Sequence, residues 1–369
     1  MTSPAALAPA ADDPVNGAWP QGSMRAVAVV ARRTVETVRV PIPGPLAGHA
    51  LVRVAYAGLC GTDLELLHGT ASYVLDGRAT HPHVVGHEWS GTVVAAPPGS
   101  GVAPGQTVVG QTMVPCEGCA HCRGGRRNLC PHMREVGLYG LQGAAAEYVR
   151  VPASSLVPVP AAVDARSAAL VEPAVTVVEA FRRAGCRESD RVAVVGTGSI
   201  GLLAVQLGAH LASYVDAVGV DPAGVELATG LGARRGLLPD RAEPGAYSLV
   251  VEASGAPAGF TTALRLVEPG GRVAAIGVAH APVPEVDAAR ITLDGISLLG
   301  IRHGLDHYDD TLGLFARGVL RADPLINRVL PASDADQAFR LLEEGRGARP
   351  KILLRFDPSA PAHEDDHDH

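Results

Sequence analysis

Arg191-Val192-Ala193-Val194-Val195-Gly196-Thr197-Gly198-Ser199-Ile200-Gly201 decides how the second half of this 369-residue chain must fold. A β-branched run ends in a G-x-G-x-x-G turn, and an apolar stretch of helical period follows over residues 200–212. Each glycine has a reason. Gly196 permits the tight turn, Gly198 lets the backbone approach a pyrophosphate, and Gly201 lets the helix pack closely on the strand. The pyrophosphate would sit at the positive end of the helix, contacted by the turn residues Thr197, Ser199 and Ile200. Twenty residues after Gly201, Asp221 closes the next apolar run. A carboxylate there can accept hydrogen bonds from both ribose hydroxyls and repels a 2′-phosphate, and no arginine follows it directly. The reading is therefore NAD in preference to NADP.

Outward from this stretch, apolar runs at 191–195, 215–220, 248–252, 272–277 and 296–300 alternate with helical patterns such as 200–212 and 259–267. That alternation predicts a doubly wound parallel sheet. Residues 24–160 read differently. Short valine-rich runs, including 25–30, 50–55, 91–96 and 107–109, are broken by Gly and Pro, which predicts an all-β unit with functional loops. After about residue 303 come a helical pattern and a last strand at 351–356. Residues 1–23 and 357–369 lack periodicity and are expected to be disordered.

Composition narrows the class. Hydrophobic residues make up 47% of the chain and charged residues 19%, as in a globular protein. A net charge of -7 argues against nucleic acid as the main partner. No apolar run approaches the roughly 20 residues that span a membrane, and no leader pattern precedes Arg25, so a reducing cytoplasm is expected. Lysine occurs once, at Lys351.

Four of the six cysteines, Cys116, Cys119, Cys122 and Cys130, lie in one short stretch with spacing C-x2-C-x2-C-x7-C. Four thiolates so close can enclose one Zn2+, and the stretch has almost no apolar residues that could order it otherwise. Arg123, Arg126 and Arg127 lie among them and could offset the charge of the thiolates. An even number also permits two disulfides, but nothing else in the chain points to secretion.

Three quieter elements complete the pattern: Cys60-Gly61-Thr62-Asp63, Gly86-His87-Glu88 and Glu172-Pro173. Alone, each has a plain structural meaning: a core thiol, a surface pair, a helix start. With the four-cysteine lobe, the Gly196 turn and Pro269-Gly270-Gly271-Arg272, they resemble the zinc-dependent medium-chain dehydrogenase/reductase family over residues 24–356.

The resemblance implies a GroES-like catalytic domain formed by residues 24–167 and 304–356, a Rossmann NAD-binding domain over 168–303, and two zinc ions per chain. It implies that Cys60 and His87 ligate the catalytic zinc, with Glu88 and Glu172 as further candidates. It makes Asp63 the carboxylate that fixes the His87 tautomer, and Thr62 the hydroxyl that meets the reacting oxygen and starts the proton relay. Many relatives carry a histidine where this chain has Glu65, which here either extends the relay or is simply solvated. Arg302 and His303 fall where relatives approach cofactor or substrate.

Gly86-His87-Glu88 together with Glu172-Pro173 sets the chain nearer polyol, sugar and threonine dehydrogenases than simple alcohol dehydrogenases. The run Gly86-His87-Glu88-Trp89-Ser90-Gly91 resembles the 2-deoxy-scyllo-inosamine dehydrogenases of aminoglycoside antibiotic biosynthesis. The expected substrate is a polyhydroxy or amino alcohol, and the expected assembly a homodimer or homotetramer. Threonine or a simple alcohol is the alternative, and a zinc-binding or redox-sensing protein without catalysis is the alternative of another class.

Overall fold

The computed structural model describes residues 15–278, 286–345 and 349–356. The turn at 196–201 sits in the sheet that its sequence predicts. Six parallel strands follow the spatial order Arg235–Leu237, Tyr214–Val218, Arg191–Val195, Tyr247–Glu252, Val267–Ala275, Ser297–Gly300. In sequence order this is 3-2-1-4-5-6, so the order of winding reverses between strands 191–195 and 247–252, where ligands bind in such sheets. Val192 to Val195 are all buried, as a strand covered on both faces requires. Two readings shift. The strand expected at 272–277 begins at Val267 and runs through Pro269 and Gly270 with a register shift. The strand Arg235–Leu237 has no valine run and two exposed residues, so no apolar signal marks it.

The other sheet is antiparallel except at one edge, where Lys351–Arg355 and Ile326–Pro331 pair in parallel. It places Leu156–Pro158, Thr107–Gly110, Glu88–Ala95, His49–Leu59, Lys351–Arg355 and Ile326–Pro331 side by side, with Tyr148–Pro152 also pairing with His49–Leu59. Strands from the last fifty residues thus return to the sheet begun before residue 60. Trp89 packs at its centre, and Gly110 is glycine because a Cβ would overlap the indole.

The expectation of disorder over residues 1–23 needs correction for its last part. Asn16 exchanges backbone hydrogen bonds with Ala96 at 2.8 and 3.0 Å, Trp19 Nε1 donates to the Pro43 carbonyl at 2.8 Å, and the first strand begins at Ser23. Pairing by backbone groups leaves no apolar periodicity for a sequence reader to find. Residues 1–14 and 357–369 lie outside the described residues. Among the described residues, no helix is long and apolar enough to cross a membrane.

Candidate active site and metal clusters

Cys60 follows the strand His49–Leu59 and caps the helix Gly61–His68. Its N–H donates to Asp63 Oδ2 at 2.9 Å, and Thr62 Oγ1 lies 3.9 Å from its Sγ. One helical turn thereby places Thr62 and Asp63 beside the thiol. Glu65, on the same helix, is half-buried. Asp63 is fully buried, with Oδ1 3.6 Å from His87 Nδ1, and neither of these two atoms has a hydrogen-bond partner. His87 follows Gly86, whose φ of +95° favours glycine and whose missing Cβ admits Ala145. The Thr112 hydroxyl donates to the His87 carbonyl at 2.6 Å and fixes the backbone there.

The ligating atoms of Cys60, His87 and Glu88 lie within 4.8 Å of one another. Burial works against a charge on His87, yet Asp63 and Cys60 outweigh it and raise its pKa well above the usual value. A positive charge is thus favoured where the imidazole stands. Sulfur, nitrogen and oxygen donors from three residues, with a carboxylate behind the histidine, fit a zinc site that retains an exchangeable position.

Glu88 has a second partner. Its Oε2 lies 2.6 Å from Lys351 Nζ, and both side chains are buried. Burial pushes the Glu88 carboxyl upward while the ammonium pulls it back. Burial likewise opposes the Lys351 charge, but Glu88 and Cys60 raise its pKa overall. The two shifts pull the pair in different directions. The 2.6 Å contact favours the ionic form, in which each charge has its counter-charge. Gly58 makes room, because a Cβ there would overlap the Glu88 carboxylate.

Glu172 stands in the first turn of the helix Val171–Ala184 and is not within the three-residue cluster. Its Oε1 lies 3.2 Å from His303 Nε2. Burial opposes its charge, but the hydrogen bond and charge of His303 and the charge of His87 hold its pKa below the usual carboxylate value. The sequence reading assigned no partner to Glu172 or Glu88. The single lysine was the available clue for one; for the other, the sequence reading set His303 near the pocket without pairing it with Glu172.

The four lobe cysteines come together without disulfides. Sγ separations are 3.5 Å for Cys119–Cys122, 3.8 Å for Cys119–Cys130 and 3.5 Å for Cys116–Cys130. A tetrahedron of thiolates about 2.3 Å from zinc has edges of about 3.8 Å, so the four sulfurs fit that metal. The Cys122 N–H donates to Cys119 Sγ at 3.5 Å and lowers that thiol to about 7, whereas burial pushes Cys122 up to about 12. Arg127 does not serve the sulfurs as the sequence reading has it. It pairs with Glu117 at 2.6 Å and Asp306 at 2.5 Å, and Arg123 donates to the Gly118 carbonyl. Asn128 Nδ2 also donates to the His303 carbonyl at 3.0 Å. The lobe therefore ties down the loop that carries the partner of Glu172.

At the other sheet, Gly198 is the N-cap of the helix Ser199–Leu211, and the space where its Cβ would stand is open. Gly196 has φ +107° and lies against the backbone of Ser254. Gly201 can have no Cβ because the Gly196 carbonyl occupies the place. Asp221 caps the helix Pro222–Gly230, accepting from the N–H groups of Ala223 at 3.2 Å and Gly224 at 3.1 Å. Thr197, Gly198 and Asp221 line one cavity of about 280 Å³ together with Arg349, a residue the sequence reading missed. A cavity of about 740 Å³ lies elsewhere, on the apolar face around Met24, Val38 and Tyr148, and contains none of the candidate residues.

Two family models match the chain: the alcohol dehydrogenase GroES-like domain over residues 46–161 and the zinc-binding dehydrogenase domain over residues 199–317. L-threonine 3-dehydrogenase of Stenotrophomonas maltophilia is 30% identical over 346 residues, covering 88% of this chain and 96% of that protein. Alcohol dehydrogenase TADH from Thermus sp. ATN1 superposes with a TM-score of 0.82 at 31% identity, over 90% of this chain and 99% of that one. A cobalt- and zinc-bound thermostable alcohol dehydrogenase from Pyrobaculum aerophilum gives 0.82 at 28% identity, over 90% and 100%. Fold, metal-type donor set and dinucleotide turn agree with these matches in defining an NAD(P)-linked zinc oxidoreductase. The chain belongs to the zinc-dependent medium-chain dehydrogenase/reductase family, in its polyol and threonine dehydrogenase branch.

Proposed function

We propose that this enzyme transfers a hydride between the carbinol carbon of a polyol, sugar or aminocyclitol such as 2-deoxy-scyllo-inosamine and NAD, with NADP the poorer cofactor. The observation that carries the reading is the convergence of Cys60, His87 and Glu88, backed by buried Asp63, beside a hydroxyl at Thr62. In this reading Cys60 and His87 hold the catalytic zinc and the four lobe cysteines hold the structural one.

When bound, zinc supplies Lewis-acid polarisation of the alcohol and NAD the hydride acceptor. Lowering an alcohol's pKa as a metal lowers that of water, from ~15.7 to ~7, corresponds to about 12 kcal/mol. The chain's own groups do the rest. Asp63 faces His87 Nδ1 and so fixes which ring nitrogen turns toward Cys60. Thr62 Oγ1 takes the proton of the reacting hydroxyl, and Glu65, one turn along the same helix, carries it toward solvent. The Gly196 to Gly201 turn seats the pyrophosphate at the helix N-terminus, and Asp221 meets the ribose hydroxyls.

Exposed Leu293 and Leu298, at and beside the edge strand Ser297–Gly300, support a homodimer or homotetramer. The free thiols support a cytoplasmic setting. L-Threonine is the second reading, favoured by the Stenotrophomonas relative. Initial rates of NAD reduction with cyclitols, polyols, L-threonine and simple alcohols decide between them. A cyclic polyol or aminocyclitol should give the highest kcat/KM; a simple primary alcohol winning by orders of magnitude refutes the proposal.

A further inference from the structure

Each of the two segments that carry the cluster residues also carries a buried polar atom left unpaired among the described residues. On the first, Cys60 caps the helix Gly61–His68, and the Glu65 carbonyl of that helix accepts from the N–H groups of Thr70 at 2.9 Å and Ala71 at 3.4 Å. That turn leads straight into the short helix Ser72–Leu75, which holds Tyr73. On the second, the strand His83–Val84 leads into Gly86-His87-Glu88. Tyr73 is 7% exposed and His83 5%, yet neither Tyr73 Oη nor His83 Nε2 has a hydrogen-bond partner among the described residues. Both residues lie against one loop. The Tyr73 ring centre is 5.6 Å from that of Tyr139. Burial lowers the pKa of His83 and keeps its ring neutral, with partial opposition from the Gly137 backbone beside it. Gly137 in turn packs on the backbone of Gly86, next to His87, where a Cβ would overlap it. The other polar groups of this loop are already paired: the Tyr139 hydroxyl donates to Glu135 Oε1 at 2.7 Å, and Arg302 donates to the same oxygen at 3.1 Å. Burial raises the Tyr73 pKa, and the charges of Asp63, Glu65, Glu135 and Cys60 raise it further, so the phenol stays protonated within the field of the metal-type cluster.

We propose that Tyr73 and His83 are specificity-determining residues that bind a second hydroxyl of the substrate, next to the reacting one. This rests on the reading of Cys60 and His87 as the reacting centre, and it names what the pocket selects: a vicinal diol or polyol over a monohydroxy alcohol. A neutral imidazole has one donor and one acceptor nitrogen, and a phenol can donate. A substrate hydroxyl both donates and accepts, so it satisfies the two groups at once. A methylene in the same place leaves both buried and unpaired, which is the costly outcome.

The test compares trans-1,2-cyclohexanediol with cyclohexanol, which differ by one hydroxyl, on the full chain loaded with zinc. Binding is read by titration calorimetry with NADH present, and kcat/KM by NAD reduction. The parent chain should favour the diol by about tenfold or more in both measurements. Tyr73→Phe keeps the ring against Tyr139 and removes only the hydroxyl, so this margin should fall by about tenfold, through KM and not through kcat. His83→Phe should shrink the same margin, and His83→Gln, whose amide can donate or accept, should keep more of it. A parent chain with no margin for the diol refutes the proposal. So does a margin that survives Tyr73→Phe and His83→Phe, or a loss that weakens both alcohols equally, which marks a structural role only. A margin that is present in binding and lost in Tyr73→Phe, in a chain that reduces no NAD, supports the pairing of these two residues and refutes the hydride-transfer reading instead.

Discussion

Replacing Cys122 with Ser should unfold the cysteine lobe while leaving the rest of the chain folded. Among residues 115–132 only Cys122 and Cys130 are buried, so the segment has little apolar surface to hold it. Ordering these eighteen residues costs about 27 kcal/mol at about 1.5 kcal/mol each. Burial of two thiols returns only about 2–3 kcal/mol, and local turns add about 1 kcal/mol per hydrogen bond. A structural zinc contributes about 10–16 kcal/mol, enough to decide whether the segment is ordered. With Ser at 122 the tetrahedral set loses one of its two buried donors, so the chain should carry one zinc instead of two. Trypsin reports the outcome, because Arg123, Arg126 and Arg127 all lie in the segment. Cleavage at these three sites should accelerate by orders of magnitude, with fragments mapped by mass spectrometry, while far-UV circular dichroism changes little. Release of the lobe also removes the bonds from Asn128 to His303 and from Arg127 to Asp306, so kcat/KM should fall by about tenfold through loss of the loop that pairs with Glu172. Two zinc ions and full trypsin resistance in Cys122→Ser would falsify the argument that metal orders this segment.

Two further outcomes follow from single contacts. Asp221→Asn keeps a helix cap through its one carbonyl oxygen, which accepts from Ala223 or Gly224, and removes the charge. The proposed preference for NAD over NADP, measured as the ratio of kcat/KM values, should narrow by roughly tenfold; an unchanged ratio means that Asp221 does not meet the ribose. Gly58→Ala places a methyl on the Glu88 carboxylate. Urea unfolding should show a loss of about 1–3 kcal/mol, as for other overpacked buried sites, and a variant as stable as the parent would show that Glu88 yields freely.

The cofactor turn was legible because its physics is local. Strand, glycine turn, helix cap and the acidic residue after the next strand all fall within about thirty residues, and each glycine has a backbone reason that survives any tertiary context. The four cysteines were legible for a similar reason, since a metal shell with short spacers imposes its own spacing. Disorder was assigned too far along the chain, to Asn16 and Trp19, because their anchors are backbone groups and a carbonyl, which leave no pattern in composition. Arg127 was assigned to the sulfurs because they are near in sequence, while its partners are Glu117 and distant Asp306.

The sequence alone therefore determined the family, the parallel sheet with its dinucleotide turn, and the residue types available to zinc. These follow from side-chain period, short spacings and the conformations that only glycine adopts. What only tertiary structure decided is which charge meets which. Lys351 meets Glu88 across 263 positions, His303 meets Glu172 across 131, and the lobe holds the His303 loop across 175. Such pairings depend on which strands and loops become neighbours. A buried carboxylate accepts whichever partner the fold brings into hydrogen-bond reach, and no local pattern in the chain records that choice.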